Sequence, residues 1–233
     1  MERYYLSNHV QVCLVGGGVV FLDLNKDIYL TIPPQFTAFL EPFILSRILD
    51  LSLPGDSFSD SDNIELIREL KNRGLISTSP QNAILPQLEE LPEAVYDIDG
   101  ESAVECTGIE LRKLFVFIKS FILSILAVRV LGLRRSILIA LNKKKKLNLG
   151  RGNLMSDILA FRDMRALLYK SRDKCYFDCT VLFHYLVDLG HEPRWVFGVA
   201  APEFKAHCWI QVSDTVVSEY VVTTSKYTPI MVI

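Results

Sequence analysis

The sequence predicts an α+β protein built as two domains, and three observations carry that expectation. Up to residue 80, short apolar runs are cut by tight-turn residues and followed by helical patterns. From 81 to 108, prolines and acids replace any sustained period, and from 109 to 233 long helical patterns give way to alternating strands. Half of the 233 residues are apolar, enough for each part to bury a core of its own.

In the first part, His9–Val15, Gly18–Leu24 and Asp27–Ile32 read as three antiparallel strands, joined at Gly16-Gly17 and Asn25-Lys26. Pro33-Pro34 ends them, because proline offers no ladder donor. A helix is expected over Gln35–Leu49 and a second from Asp62, whose carboxylate stands where a cap belongs, with Glu65 three residues on. Gly74 closes that helix, and Leu75–Thr78 allows a last short strand. The stretch 81–108, with Pro86, Pro92 and acids from Glu89 to Glu105, reads as a linker. Beyond it, Glu110–Leu141 and Asn153–Lys170 read as helices. A third helix, Cys175 to Leu189, carries an apolar stripe at Val181, Leu182, Tyr185, Leu186 and Leu189 and stops at Gly190. Arg194–Val199, Ala206–Val212, Thr215–Val222 and Tyr227–Ile233 alternate as strands.

A formal charge of −2 leaves no overall basic field for nucleic acid, and Lys143–Lys146 reads as a solvated loop. Five scattered cysteines, an odd number, and an N-terminus without a signal-peptide pattern point to the reducing cytoplasm. Leu114–Leu133 is strongly apolar, yet Lys119 and Arg129 fall inside it. A spanning helix tolerates such charges poorly, so a buried or surface-docked amphipathic helix is expected, without membrane association. Gly16-Gly17-Gly18 lacks the Gly-Lys-Ser/Thr of a phosphate loop and fits a hairpin.

The chemistry-bearing pair is Cys175 and His207. A nucleophilic cysteine needs its thiolate, which the positive end of a helix favours, and Cys175 opens the third helix. His207 lies on the strand around Phe204–Trp209, where alternation puts His207 and Trp209 on one face and Cys208 on the other. An acid orienting the imidazole is required, and Glu219 or Asp214 are the candidates: Glu219 on the returning strand, Asp214 at the turn. The bland alternative is a small buried thiol and a satisfied histidine. Zinc held by Cys175, Cys179 and either His207 or Cys208 is set aside, since the last two face opposite ways and no fourth ligand is evident, so no metal is expected.

Lys174 through Leu182, Gly190, Val196-Phe197-Gly198-Val199, Pro202 through Trp209 and Thr228-Pro229-Ile230 together resemble the B-protein leader peptidases of lasso-peptide biosynthesis, over roughly residues 160 to 233. The resemblance implies a C-terminal transglutaminase/papain-like α+β peptidase domain over 109–233. Residues 1–80 are similar to the fused precursor-recognition element, a winged-helix-like unit of three strands plus helices, with 81–108 as linker. It further implies a cysteine endopeptidase with Cys175 as nucleophile, His207 as base and Glu219, where the family has Asp, as orienting acid; Asp214 is the fallback. Cys179, at a position more often Ser in that family, is then a neighbour of the site. The implied partners are a precursor peptide, whose leader is cut from its core, and an asparagine-synthetase-like macrolactam synthetase that uses ATP and magnesium. This chain itself is expected to bind no cofactor and no nucleic acid. Leader binding is expected as strand addition at the free edge of Asp27–Ile32, with Tyr29, Thr31, Leu66 and Leu70 as contacts, against the reading that Leu66 and Leu70 only join the core. The competing functions are an acyltransferase using the same pair and an inactive peptide-binding scaffold.

Overall fold

The computed structural model describes residues 3–46, 48–50, 61–80, 91–98, 110–150, 152–168 and 175–233. The chain is an α+β mix that divides into two compact units, Met1–Glu89 with Val199–Lys205, and Glu90–Gly198 with Ala206–Ile233.

In the first unit, β2 (Val10–Val15), β3 (Gly18–Asp23) and β4 (Ile28–Ile32) form the antiparallel meander that the turns predict, in order β2-β3-β4. The register runs from Val10↔Asp23 and from Asp23↔Ile28, which leaves β4 at an edge. A second small sheet differs from expectation. There β1 (Arg3–Leu6) lies between β5 (Ile48–Asp50) and β6 (Ile76–Ser77), pairing antiparallel with both. Among the described residues the unit therefore holds six strands rather than three plus the short one at its end. The expected Gln35–Leu49 helix accordingly shrinks to a 3-10 turn at Pro34–Phe36 and α1 (Thr37–Ser46), because Ile48–Asp50 finds a strand partner far away in sequence. Helix α2 spans Ser61–Asn72, so Asp62 stands inside its first turn and not at the cap, where it still favours the helix dipole. Phe21, Leu40, Phe43 and Leu70 are fully enclosed in this unit's core.

The second unit is organised around α6 (Cys175–Leu189). Helices α3 (Leu111–Leu126) and α5 (Leu154–Leu168) pack on one side, with Phe117 meeting Phe161 and Tyr185 at ring separations of 5.4 and 6.2 Å. A five-stranded sheet lies on the other, where Tyr176 and Phe183 meet Trp195 at 5.4 and 5.9 Å. This double cover explains why α6 is buried beyond its predicted stripe, at Cys179, Thr180, Phe183, His184 and Val187 as well. Gly190, at φ +92°, ends the helix as predicted, and a side chain there would also strike the Gly150 backbone. At the start of α5, the Asn153 side-chain oxygen accepts the Ser156 N–H at 3.2 Å.

The sheet order is β11-β8-β9-β10-β7, from β8 (Arg194–Ala200), β9 (Lys205–Val212), β10 (Thr215–Val216), β11 (Thr228–Val232) and β7 (Tyr96–Asp97). Two expectations are corrected here. The strand predicted over Thr215–Val222 stops at Val216, bends, and passes into a one-turn helix α7 (Val221–Thr224), whose Val221 N–H donates to the Asp97 carboxylate at 3.0 Å. Residues 91–98, expected as linker, supply β7, which adds in parallel to β10 through Thr215↔Tyr96 and Val216↔Asp97, and Gln211 reaches the Pro92 carbonyl at 2.8 Å. A sheet edge offers unpaired backbone groups whatever the side-chain pattern, so no periodicity announces this strand. The remainder of the expected linker, 81–90 and 99–108, lies outside the described residues, as does Cys106.

The long helix expected from Glu110 to Leu141 is also interrupted. A π-helical turn at Ala127–Leu131 follows α3, and Gly132 at φ +74° and ψ 172° separates it from α4 (Gly132–Lys144). The Ser136 hydroxyl bonds the Ala127 carbonyl at 3.0 Å, meeting one acceptor at the break. Lys143 and Lys144 end α4 instead of forming a loop, and Lys143 pairs with Asp188 at 2.9 Å.

Candidate active site

The sequence-predicted residues Cys175, His207 and Glu219 come together in the second unit. Cys175 is the first residue of α6, His207 sits on β9, and Glu219 lies in the bend between β10 and α7 instead of on a strand. His207 Nε2 donates to Glu219 Oε2 at 3.0 Å, and the imidazole lines the same cleft as Cys175, near enough to act on its thiol. With Nε2 committed to the carboxylate, Nδ1 is the nitrogen left for the thiol. Asp214, the fallback acid, is in the β9–β10 turn, where its carboxylate accepts from the Thr215 hydroxyl at 3.2 Å and its backbone carbonyl receives Val95 N–H at 2.9 Å. It serves the turn and the β7 edge.

Aromatic rings hold the imidazole. Trp209 stacks at 6.5 Å with 23° between planes, and Tyr227 lies at 5.2 Å on a tilt. Both rest on Gly198: a Cβ there would meet Trp209 at 2.7 Å and Tyr227 at 2.8 Å. The alternation argument foresaw Trp209 beside His207; Tyr227 and the need for a glycine opposite them emerge only from strand neighbours. A lone glycine inside an apolar strand was the available signal.

The sulfur environment corrects one sequence argument. His207 and Cys208 are consecutive on β9, yet both bear on the Cys175 thiol. Cys179 is buried, donates to the Cys208 carbonyl at 3.3 Å and contributes to the cleft wall. Among the described residues, no group of three or more His, Cys, Asp or Glu is arranged to hold a metal ion.

The His207 pKa is pushed up to about 9 by hydrogen bonds with Cys175 and Glu219, against burial. The Cys175 thiol is pushed up to about 12, most of all by the hydrogen bond with Cys208, while His207 pulls it down and burial raises it. These directions oppose each other, since a protonated imidazole favours a thiolate beside it. The imidazolium direction prevails physically. Cys208, only 3% exposed and with a pKa well above that of an ordinary thiol, keeps its proton, which leaves the imidazole as the charged neighbour of the Cys175 sulfur. The α6 N-terminus adds positive potential, and Asp178 in that first turn is faced by Arg165 at 3.5 Å.

The three residues open on a cleft of about 560 Å³, lined also by Phe161, Arg162, Arg165 and Tyr220. The expected leader contacts lie in the first unit. Thr31 is exposed and Tyr29 half-buried on the β4 edge, where Tyr29 meets Phe204 at 5.4 Å. Leu66 is half-buried beside Phe36 at a shallow depression along α2. Leu70 is corrected: it is fully enclosed in the core, so its side chain packs α2 on the sheet and offers no surface.

Cys on a helix start, His on an adjoining strand and an acid behind it make an arrangement compatible with thiol chemistry. Residues 124–232 match the transglutaminase-like superfamily, and the C-terminal part of the chain is a transglutaminase-like domain. No curated protein and no solved structure matches the chain.

Proposed function

We propose that this chain is a cysteine peptidase that binds the leader of a lasso-peptide precursor and cuts it from the core. The observation that carries the chemistry is that Cys175 and the hydrogen-bonded pair His207–Glu219 line one open cleft, within a transglutaminase-like domain. The substrate class is supported by the motif resemblance over residues 160–233. Leader binding is supported by the edge position of β4, since an edge strand invites strand addition.

In this reading the Cys175 thiolate attacks the carbonyl joining leader to core. A C–S bond forms, the C–N bond breaks, and the His207 imidazolium gives its proton to the departing core amine. His207, now neutral, takes a proton from water, which attacks the acyl-enzyme and frees the leader as an acid. The Cys175 backbone N–H at the helix start is the candidate oxyanion donor. Glu219 holds the imidazole and balances its charge. The freed core then passes to an ATP-dependent macrolactam synthetase, and the whole reaction belongs to the cytoplasm, where thiols stay reduced.

The test is incubation of the purified protein with a lasso-peptide precursor, followed by mass spectrometry. Free leader acid and free core amine are expected. Amidated or crosslinked leader would instead identify an acyltransferase, and intact precursor retained by binding alone would identify a scaffold.

A further inference from the structure

The outward face of α3 carries a stripe that neither the core nor the cleft uses. Leu111, Phe115, Ile118, Ile122, Leu126 and Val130 recur at spacings of three and four, and all are exposed, Phe115 at 71%, Ile122 at 61% and Val130 at 69%. The π-helical turn keeps Val130 in line, since its wider turn brings a residue four after Leu126 back to the same side. The opposite face of the same helix, at Phe117, Ser120, Ser124 and Ala127, is buried. An apolar line of this length on a solvent-facing side marks a docking surface. It measures about 28 Å at the helical rise.

Its occupant is indicated by charge. Residues 111–156 contain eleven Lys or Arg and no Asp or Glu, in a chain whose totals are 25 Lys+Arg and 27 Asp+Glu. Arg112 and Arg129 are exposed next to the stripe's ends, and Lys119, half-exposed though paired with Asp188 at 3.2 Å, borders an apolar groove formed by Phe115, Ile118 and Ile122. Long basic side chains around an apolar helix face suit a surface that is apolar within and negative at its rim. By length and composition Leu111–Lys144 is apolar enough to cross a bilayer. Two facts oppose crossing: the Phe117 face is part of the domain core, and Gly132 breaks the run.

We propose that α3 and its π-helical turn bind in the plane of an anionic membrane surface, with Phe115, Ile118, Ile122 and Leu126 entering the headgroup–acyl boundary and Arg112, Lys119 and Arg129 meeting lipid phosphates. This departs from the sequence expectation of no membrane association. The proposal is independent of what Cys175 cleaves.

The test is co-sedimentation of the full chain with vesicles of phosphatidylcholine alone or of equal parts phosphatidylcholine and phosphatidylglycerol. Partition into the anionic vesicles is expected to exceed the neutral by roughly tenfold or more and to fall as salt rises. The Phe115→Glu/Ile122→Glu pair should abolish it while leaving the Cys175 alkylation rate, a measure of intact fold, unchanged. If that pair perturbs the fold, Arg112→Glu/Arg129→Glu should remove the anionic preference. Equal or absent partition into both vesicles overturns the proposal. So does a dimer in sedimentation velocity that the stripe variants dissociate, without vesicle binding, which would assign the face to a second copy.

Discussion

At the scale of single residues, the Cys175 thiol feels one imidazole and one buried thiol, and the first of these governs reactivity. Cys175→Ala is expected to eliminate peptide cleavage by mass spectrometry, whereas Cys179→Ala, which alters the cleft wall and a contact to the Cys208 carbonyl, should retain most of it. Glu219→Gln removes the carboxylate that helps raise His207 from 6.5 to about 9, so the upper limb of the pH–rate profile should move down toward 6.5 and kcat/KM should fall about a hundredfold. Asp214→Asn, confined to its turn, should leave both unchanged. The same shift has a stability consequence. His207 binds its proton more tightly folded than unfolded, so that contribution is full below about 6.5 and lost as pH rises through about 9. Denaturation midpoints of the parent and Glu219→Gln proteins should therefore converge at high pH. Gly198→Ala should lower kcat more than it raises KM, because the new methyl displaces Trp209 and Tyr227 from their positions against His207.

At the scale of elements, the nucleophile's helix is anchored at its far end by a buried ionic cluster. Asp157 on α5 accepts from His191, just past α6, at 2.7 Å and pairs with Lys113 on α3 at 2.9 Å. Burial works to raise the Asp157 pKa, but bonds to His191 and Lys113 outweigh it and hold the carboxyl below its usual value. The depressed carboxyl adds stability above about pH 3.8 that disappears as pH falls through its folded value. Asp157→Asn leaves Lys113 without its buried partner and should cost about 3 kcal/mol in urea denaturation. Activity at temperatures well below the transition should persist, since the cluster touches none of the three site residues.

At the scale of the whole molecule, the proposed function puts recognition and chemistry in different compact units, and that division is testable through kinetics. Ile28→Lys with Thr31→Lys places charge on the exposed β4 edge and is expected to raise KM for the precursor about tenfold. Alkylation of Cys175 should be unchanged. An equal loss in alkylation would place the effect on the catalytic unit and remove the edge from the recognition account.

What the sequence by itself determined is everything carried by local rules: the Gly-turn meander of β2, β3 and β4, the limits of α6 from Cys175 to Gly190, and the pairing of a helix-start cysteine with a strand histidine. These follow from turn chemistry, helix stops and strand alternation, which act within a few residues. Tertiary structure alone decided the rest. β1, β5 and β7 are too short to show a period and exist because a distant edge offers backbone partners. Glu219 reaches His207 from a bend that ends a predicted strand, Leu70 turns from a surface contact into core, and Cys208 joins His207 at one sulfur. The stripe from Leu111 to Val130 was legible as apolar, but which of the helix's two apolar sides would be buried was not. Packing against α6 decided that, because only one side of a helix can face a given neighbour.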